Sequence, residues 1–112
     1  MSRMTAPIRG GSGGHPLLGR RLPSHELTTP PGTVLLRPLR GLLIDLAGDD
    51  ALRRTAAPWA GRVDVVTAGV RNPGGPFAGT TALLVRPDGH VAWTAPGGTD
   101  LIDALHRWFG PR

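Results

Sequence analysis

Along this chain, apolar residues fall into short runs and one helical stripe, separated by glycine and proline. Residues 33–37 (TVLLR) form a short β-like run stopped by Pro38, and residues 42–46 (LLIDL) read as a buried strand. The residues between them are too few for a helix. Asp49 and Asp50 then open a helix carrying Leu52 and Ala56 on one face. Asp49 is its expected N-cap and Pro58 its stop, and Trp59 is placed to close that face against the sheet. Residues 62–68 (RVDVVTA) are β-branched and follow one short helix after the strand, which predicts a βαβ unit with a parallel, right-handed connection.

Residues 69–79 read as a Gly/Pro loop. Residues 82–86 and 90–94 flank Pro87, Asp88 and Gly89, where proline suits the second position of a type I turn and glycine supplies a positive φ, so an antiparallel hairpin is expected. Turn geometry alone explains the charged phrase from Arg86 to Gly89. In the last helix Thr99 is the expected cap, Asp100 and Asp103 favour the positive end, and Leu101, Leu105 and Trp108 with Ile102 and Phe109 form the stripe. Gly110 and Pro111 end it. The fold class is therefore α/β: a mixed sheet with a βαβ unit, a β-hairpin and a C-terminal helix, the layout of a thioredoxin-like domain. Residues 1–14, with Gly10, Gly11, Ser12, Gly13 and Gly14, read as a flexible leader or linker; 15–32 as an extended strap; and 33–112 as the thioredoxin-like domain.

Composition narrows the chemistry. The 112 residues hold no cysteine, which excludes disulfides, thiolate nucleophiles, CxxC redox chemistry and cysteine-ligated metals. In thioredoxins the reactive pair sits in the loop and first helical turn after a central strand; here that place is held by Ala47, Gly48, Asp49 and Asp50. The chain carries +5 at neutral pH, but the excess lies before Leu42, where six arginines face Glu26 alone. All thirteen basic residues are arginine, as GC-rich coding would give, so the charge argues only weakly for an acidic partner. No run is long enough to span a bilayer and no secretory signal opens the chain, so the cytoplasm is the expected location. His15, His25, His90 and His106 lack metal-site spacing, and no nucleophile elbow surrounds any serine. Trp59, Trp93 and Trp108 are expected in one shared core, and Asp45, inside an apolar strand, is expected to have an arginine partner or partial exposure.

Four phrases carry a resemblance: HPLLGRRLP at 15–23, LIDLAGD at 43–49, LLVRPDGHVAW at 83–93 and ALHRWFG at 104–110. Together they resemble the C-terminal domain of FAD-dependent aromatic-ring hydroxylases, a group that includes polyketide hydroxylases, over nearly everything after Gly14. The resemblance implies a thioredoxin-like domain that follows a flavin and substrate domain performing NAD(P)H-dependent hydroxylation. The family's flavin-contacting motifs lie upstream of the matched region, and the glycines at 10–14 lack the strand and helix of a GxGxxG fingerprint. No catalytic, FAD-binding, NAD(P)H-binding or metal-binding residue is therefore assigned to this chain.

The expected role is noncatalytic: folding, oligomerisation or docking of a flavoprotein monooxygenase. The expected partner is a flavin-domain chain or a second copy, met through Leu17, Arg20, Arg21, Leu22 and Leu27, read as apolar and basic residues outside the self-contained core. On that reading, Leu22→Asp abolishes association and leaves circular dichroism unchanged. The competing class is a free-standing Arg-rich nucleic-acid-binding or protein-interaction module using Arg3, Arg9, Arg20 and Arg21, with salt-dependent affinity.

Overall fold

The computed structural model describes residues 16–97 and 100–112; the leader at 1–14 and the predicted cap Thr99 lie outside the described residues. The elements are β1 (Leu27–Thr28), β2 (Gly41–Asp45), α1 (Asp50–Ala56), β3 (Val63–Thr67), β4 (Gly69–Val70), β5 (Ala82–Val85), β6 (Val91–Ala95) and α2 (Leu101–Phe109). The main sheet runs β3-β2-β5-β6. β2 and β3 are parallel across the α1 crossover, while β5 is antiparallel to both β2 and β6. This is the mixed α/β, thioredoxin-like layout that the periodicity predicts.

β2 is buried along its whole length, so both faces of the sheet need a cover. On one face Leu43, Leu84 and Trp93 pack with Ala56 of α1, with Trp59 just after that helix, and with Leu101, Ala104 and Leu105 of α2. Both helices lie on this side. The other face, built from Leu42, Ile44, Leu83, Val85 and Val91, is covered by irregular chain: Leu17, Leu22 and Leu27 from the strap, and Ala68 and Phe77 from the loop after β3. The strap also hydrogen-bonds along β6, through Gly19 N to Val91 O and Leu22 N to Gly89 O, both 2.8 Å, with Val91 N returning to Arg20 O at 2.8 Å.

Several expectations are corrected. Residues 33–37 form no strand, because Leu36 and Leu39 take positive φ (56° and 65°), which no ladder accommodates; Leu35 and Leu36 pack against the core instead. The loop at 69–79 opens with β4, which pairs with β1 through Leu27↔Val70 and Thr28↔Gly69, a ladder too short to leave a periodic signal. Asp100 caps α2, its side chain accepting from Ile102 N. Trp108 is not in the core with Trp59 and Trp93: it is 38% exposed, because the buried stripe of α2 runs through Leu101, Ala104 and Leu105. Gly41 begins β2 where a Cβ would lie 2.1 Å from the Phe109 ring, so only glycine lets α2 close over that end.

Candidate functional site

The loop from β2 to α1 is where this fold would place chemistry, and it is organised by Asp45. That side chain is fully buried at the end of β2. Its Oδ1 accepts from Ala47 N at 3.0 Å and Gly48 N at 2.9 Å, and its Oδ2 meets Arg53 Nη1 of α1 at 3.2 Å. Arg53 also reaches the Thr67 hydroxyl of β3. The predicted arginine partner is thus present, and burial is complete rather than partial. Both carboxylate oxygens of Asp45 are engaged inside the fold, which fixes the turn and the start of α1. Asp49 caps the helix by accepting from Ala51 N at 2.9 Å.

The same loop does not fit the pyrophosphate of a flavin dinucleotide. The amides of Ala47 and Gly48 that would cradle an anion already serve Asp45, and Asp49 and Asp50 place exposed carboxylates at the seven-residue helix start. Elsewhere, a shallow open depression of about 290 Å³ is lined by Pro16, Leu17, Arg20, Gly75, Pro76 and Ala78. One guanidinium among small apolar groups gives it no acid–base pair and no nucleophile. Among the described residues no group of three or more His, Cys, Asp or Glu side chains is placed to hold a metal, and no helix is long and apolar enough to cross a membrane.

The five predicted contact residues separate into two kinds. Leu17, Leu22 and Leu27 are 4%, 6% and 5% exposed and belong to the chain's own core, so the expectation that they stand outside it is corrected. The cause is the uncovered sheet face, which the helices leave to the strap. Arg20 and Arg21 are exposed, Arg20 at the depression and Arg21 beside the turn at Gly89.

At the opposite end of the sheet from Asp45, arginines tie segments together. Arg37 donates to both carboxylate oxygens of Asp64, each at 2.8 Å, and Arg40 Nε donates to the same group at 2.8 Å while its other nitrogens reach Gly61 O and Ala60 O. Arg62 donates to Phe109 O and Pro111 O, and Trp59 Nε1 donates to Gly110 O at 2.8 Å, so the last carbonyl of α2 and the two that follow it are satisfied. Arg86 pairs with Asp88 in the hairpin turn.

Hydrogen bonding from Arg37 holds the Asp64 carboxyl at about 2, below the ordinary carboxylate value. A depressed folded pKa contributes stability above the unfolded value and loses it as pH falls from about 4 to about 2. In urea titrations Asp64→Asn is therefore expected to be less stable than wild type by about 1 kcal/mol at pH 7, after allowance for solvent screening, with the gap closing toward pH 2. A gap independent of pH would contradict this. Asp88, held low by Arg86, acts in the same direction.

The geometry defines a mixed α/β domain whose polar clusters are spent on its own architecture. The chain belongs to the family described as aromatic-ring hydroxylase, C-terminal, which matches residues 15–111. It is 52% identical over 108 residues to the 12-dehydrotetracycline 5-monooxygenase/anhydrotetracycline 6-monooxygenase of Streptomyces rimosus, covering 89% of this chain and 22% of that protein. It is 42% identical over 98 residues to the dialkyldecalin synthase of Streptomyces rugosporus, covering 83% and 19%. Among solved structures it is similar to CabE, an aromatic hydroxylase from angucycline biosynthesis, with a TM-score of 0.77, 49% identity and coverage of 87% of this chain and 21% of that one. The chain thus spans about a fifth of the length of the relatives it matches.

Proposed function

We propose that this chain is the noncatalytic C-terminal domain of a flavin-dependent aromatic hydroxylase, acting by packing against the body that binds FAD, NAD(P)H and the aromatic substrate. The observation that carries this is the Asp45 cluster. At the point where the fold could present reactive groups, the chain places a buried carboxylate whose bonds to Ala47, Gly48 and Arg53 are all internal. A second support is that similar domains occur in one protein named as a monooxygenase and another named as a synthase, so the domain travels with different reactions. The exposed apolar residues Leu39 and Trp108 favour docking over a free-standing existence.

The test compares three forms of the S. rimosus monooxygenase: intact, truncated before its matching fifth, and with that fifth replaced by residues 15–111 of this chain. Truncation is expected to lower the yield of soluble, FAD-loaded enzyme severely, and the replacement to restore most of it. In parallel, the isolated chain is titrated with FAD by fluorescence and is expected to show no saturable binding. A replacement no better than the truncation, or stoichiometric FAD binding by the isolated chain, would overturn the reading.

A further inference from the structure

The two ends of the sheet differ in charge. At the end where β2 and β3 finish, Asp45, Asp49, Asp50, Asp100 and Asp103 gather around the helix starts, with Arg53 and Arg54 of α1 as opposing charges. At the other end, the loop before β2, the start of β3, the hairpin turn and the last turn of α2 bring together Arg37, Arg40, Arg62, Arg86 and Arg107, against Asp64 and Asp88. Arg107 meets no carboxylate within 4 Å among the described residues. It lies instead over the Trp108 ring, 5.4 Å from its centroid, with Arg86 at 5.2 Å.

This basic end also carries exposed apolar groups. Leu39 is 92% exposed and has a φ of 65°, a conformation rare for residues with a Cβ. It is held there from both sides, since Arg37 and Arg40 fasten its loop to Asp64 and to the carbonyls before β3. A rigidly presented leucine and a half-open tryptophan flanked by guanidinium groups have the composition of a binding surface, with aromatic and arginine anchors amid charge.

We propose that this basic end is the face by which the domain docks on an acidic, apolar-centred surface of the hydroxylase body; the proposal rests on the function proposed above. Charge complementarity selects the occupant. A second copy meeting this face symmetrically would set arginine against arginine. Meeting it head to tail, basic end on acidic end, would need a ring of three or more copies to close and would otherwise run on as an open filament.

The test introduces Arg107→Glu, Trp108→Ala and Leu39→Asp separately into the replacement hybrid described above and follows protease cleavage at the junction between body and domain. Each substitution is expected to speed cleavage about tenfold, the loss of one interface anchor. Raising salt to about 0.5 M is expected to reproduce the Arg107→Glu effect in the parent hybrid. Urea midpoints of the isolated variants, expected to match the parent chain, separate undocking from unfolding. Unchanged cleavage in folded variants would overturn the docking face while leaving the proposed function standing. So would self-association of the isolated chain, or oligonucleotide binding at 0.15 M salt, abolished by the same substitutions. A parent hybrid no better than the truncated enzyme would overturn both.

Discussion

Asp45→Ala is expected to cost about 2 kcal/mol, the loss of two turn hydrogen bonds and of an ion pair whose arginine is half-exposed, and so to remove a large part of the stability of a domain this size. Three partners are stranded at once. Ala47 N and Gly48 N lose their acceptor inside a turn in which Gly48 has a φ of 73°, and Arg53 loses the carboxylate that aligns it across α1. Arg53 is 40% exposed and keeps Thr67 and a distant Asp50 carboxylate at 3.9 Å, so water offsets part of its loss. Asp45→Asn keeps an acceptor for the turn and removes the charge, and is expected to fall between alanine and wild type. Urea unfolding of Asp45→Ala, Arg53→Met and the double variant measures the coupling. A cost below about 1 kcal/mol for Asp45→Ala would show that the turn forms without it.

What could be read from the sequence was what local chemistry decides. The hairpin was legible because proline and glycine occupy positions whose dihedral angles they favour, and Gly89 does take a φ of 88°. α1 was legible through Asp49, whose side chain caps it as expected. The buried run of β2 was legible as a strand, and Asp45 as a carboxylate in need of an arginine. Which arginine could not be read, because Arg53 reaches it only once α1 has folded back over the sheet.

The misreadings share a physical cause. Leucines in the strap lie between proline and glycine with no period, so nothing local tells whether they face a partner or their own sheet. The deciding quantity is the number of layers. Leu42, Leu43 and Ile44 are apolar on both faces of β2, and two short helices on one side leave the second face to be covered by whatever chain remains. Residues 33–37 have strand composition, yet Arg37 and Arg40 draw their loop toward Asp64, a contact set by β3 and invisible to a window of neighbours. Trp108 fits a helical stripe by spacing, but the buried sector of α2 is centred on Ala104 and Leu105 and leaves it at the edge.

The strap supplies the second large effect. Leu22→Asp, which on sequence grounds leaves the fold intact, is expected from the structure to destroy it. Leu22 is 6% exposed against the sheet face that carries Leu42, Ile44 and Val91, and its amide is bonded to Gly89 O. The substitution removes the apolar contact, worth about 2–5 kcal/mol for a buried leucine. It also asks the site to hold a carboxylate with no charged partner, at a further cost of several kcal/mol unless the strap detaches. Detachment exposes Leu17 and Leu27 along with the opposite sheet face, so partial release is no refuge. The expected result is loss of the cooperative urea transition and of the near-ultraviolet signal from Trp59 and Trp93. Leu22→Met, which keeps the volume, should stay within about 1.5 kcal/mol of wild type. If Leu22→Asp unfolds cooperatively near the wild-type midpoint, the strap is an appendage and its leucines are free to meet another chain; if it does not, the strap is the second layer of this domain's core.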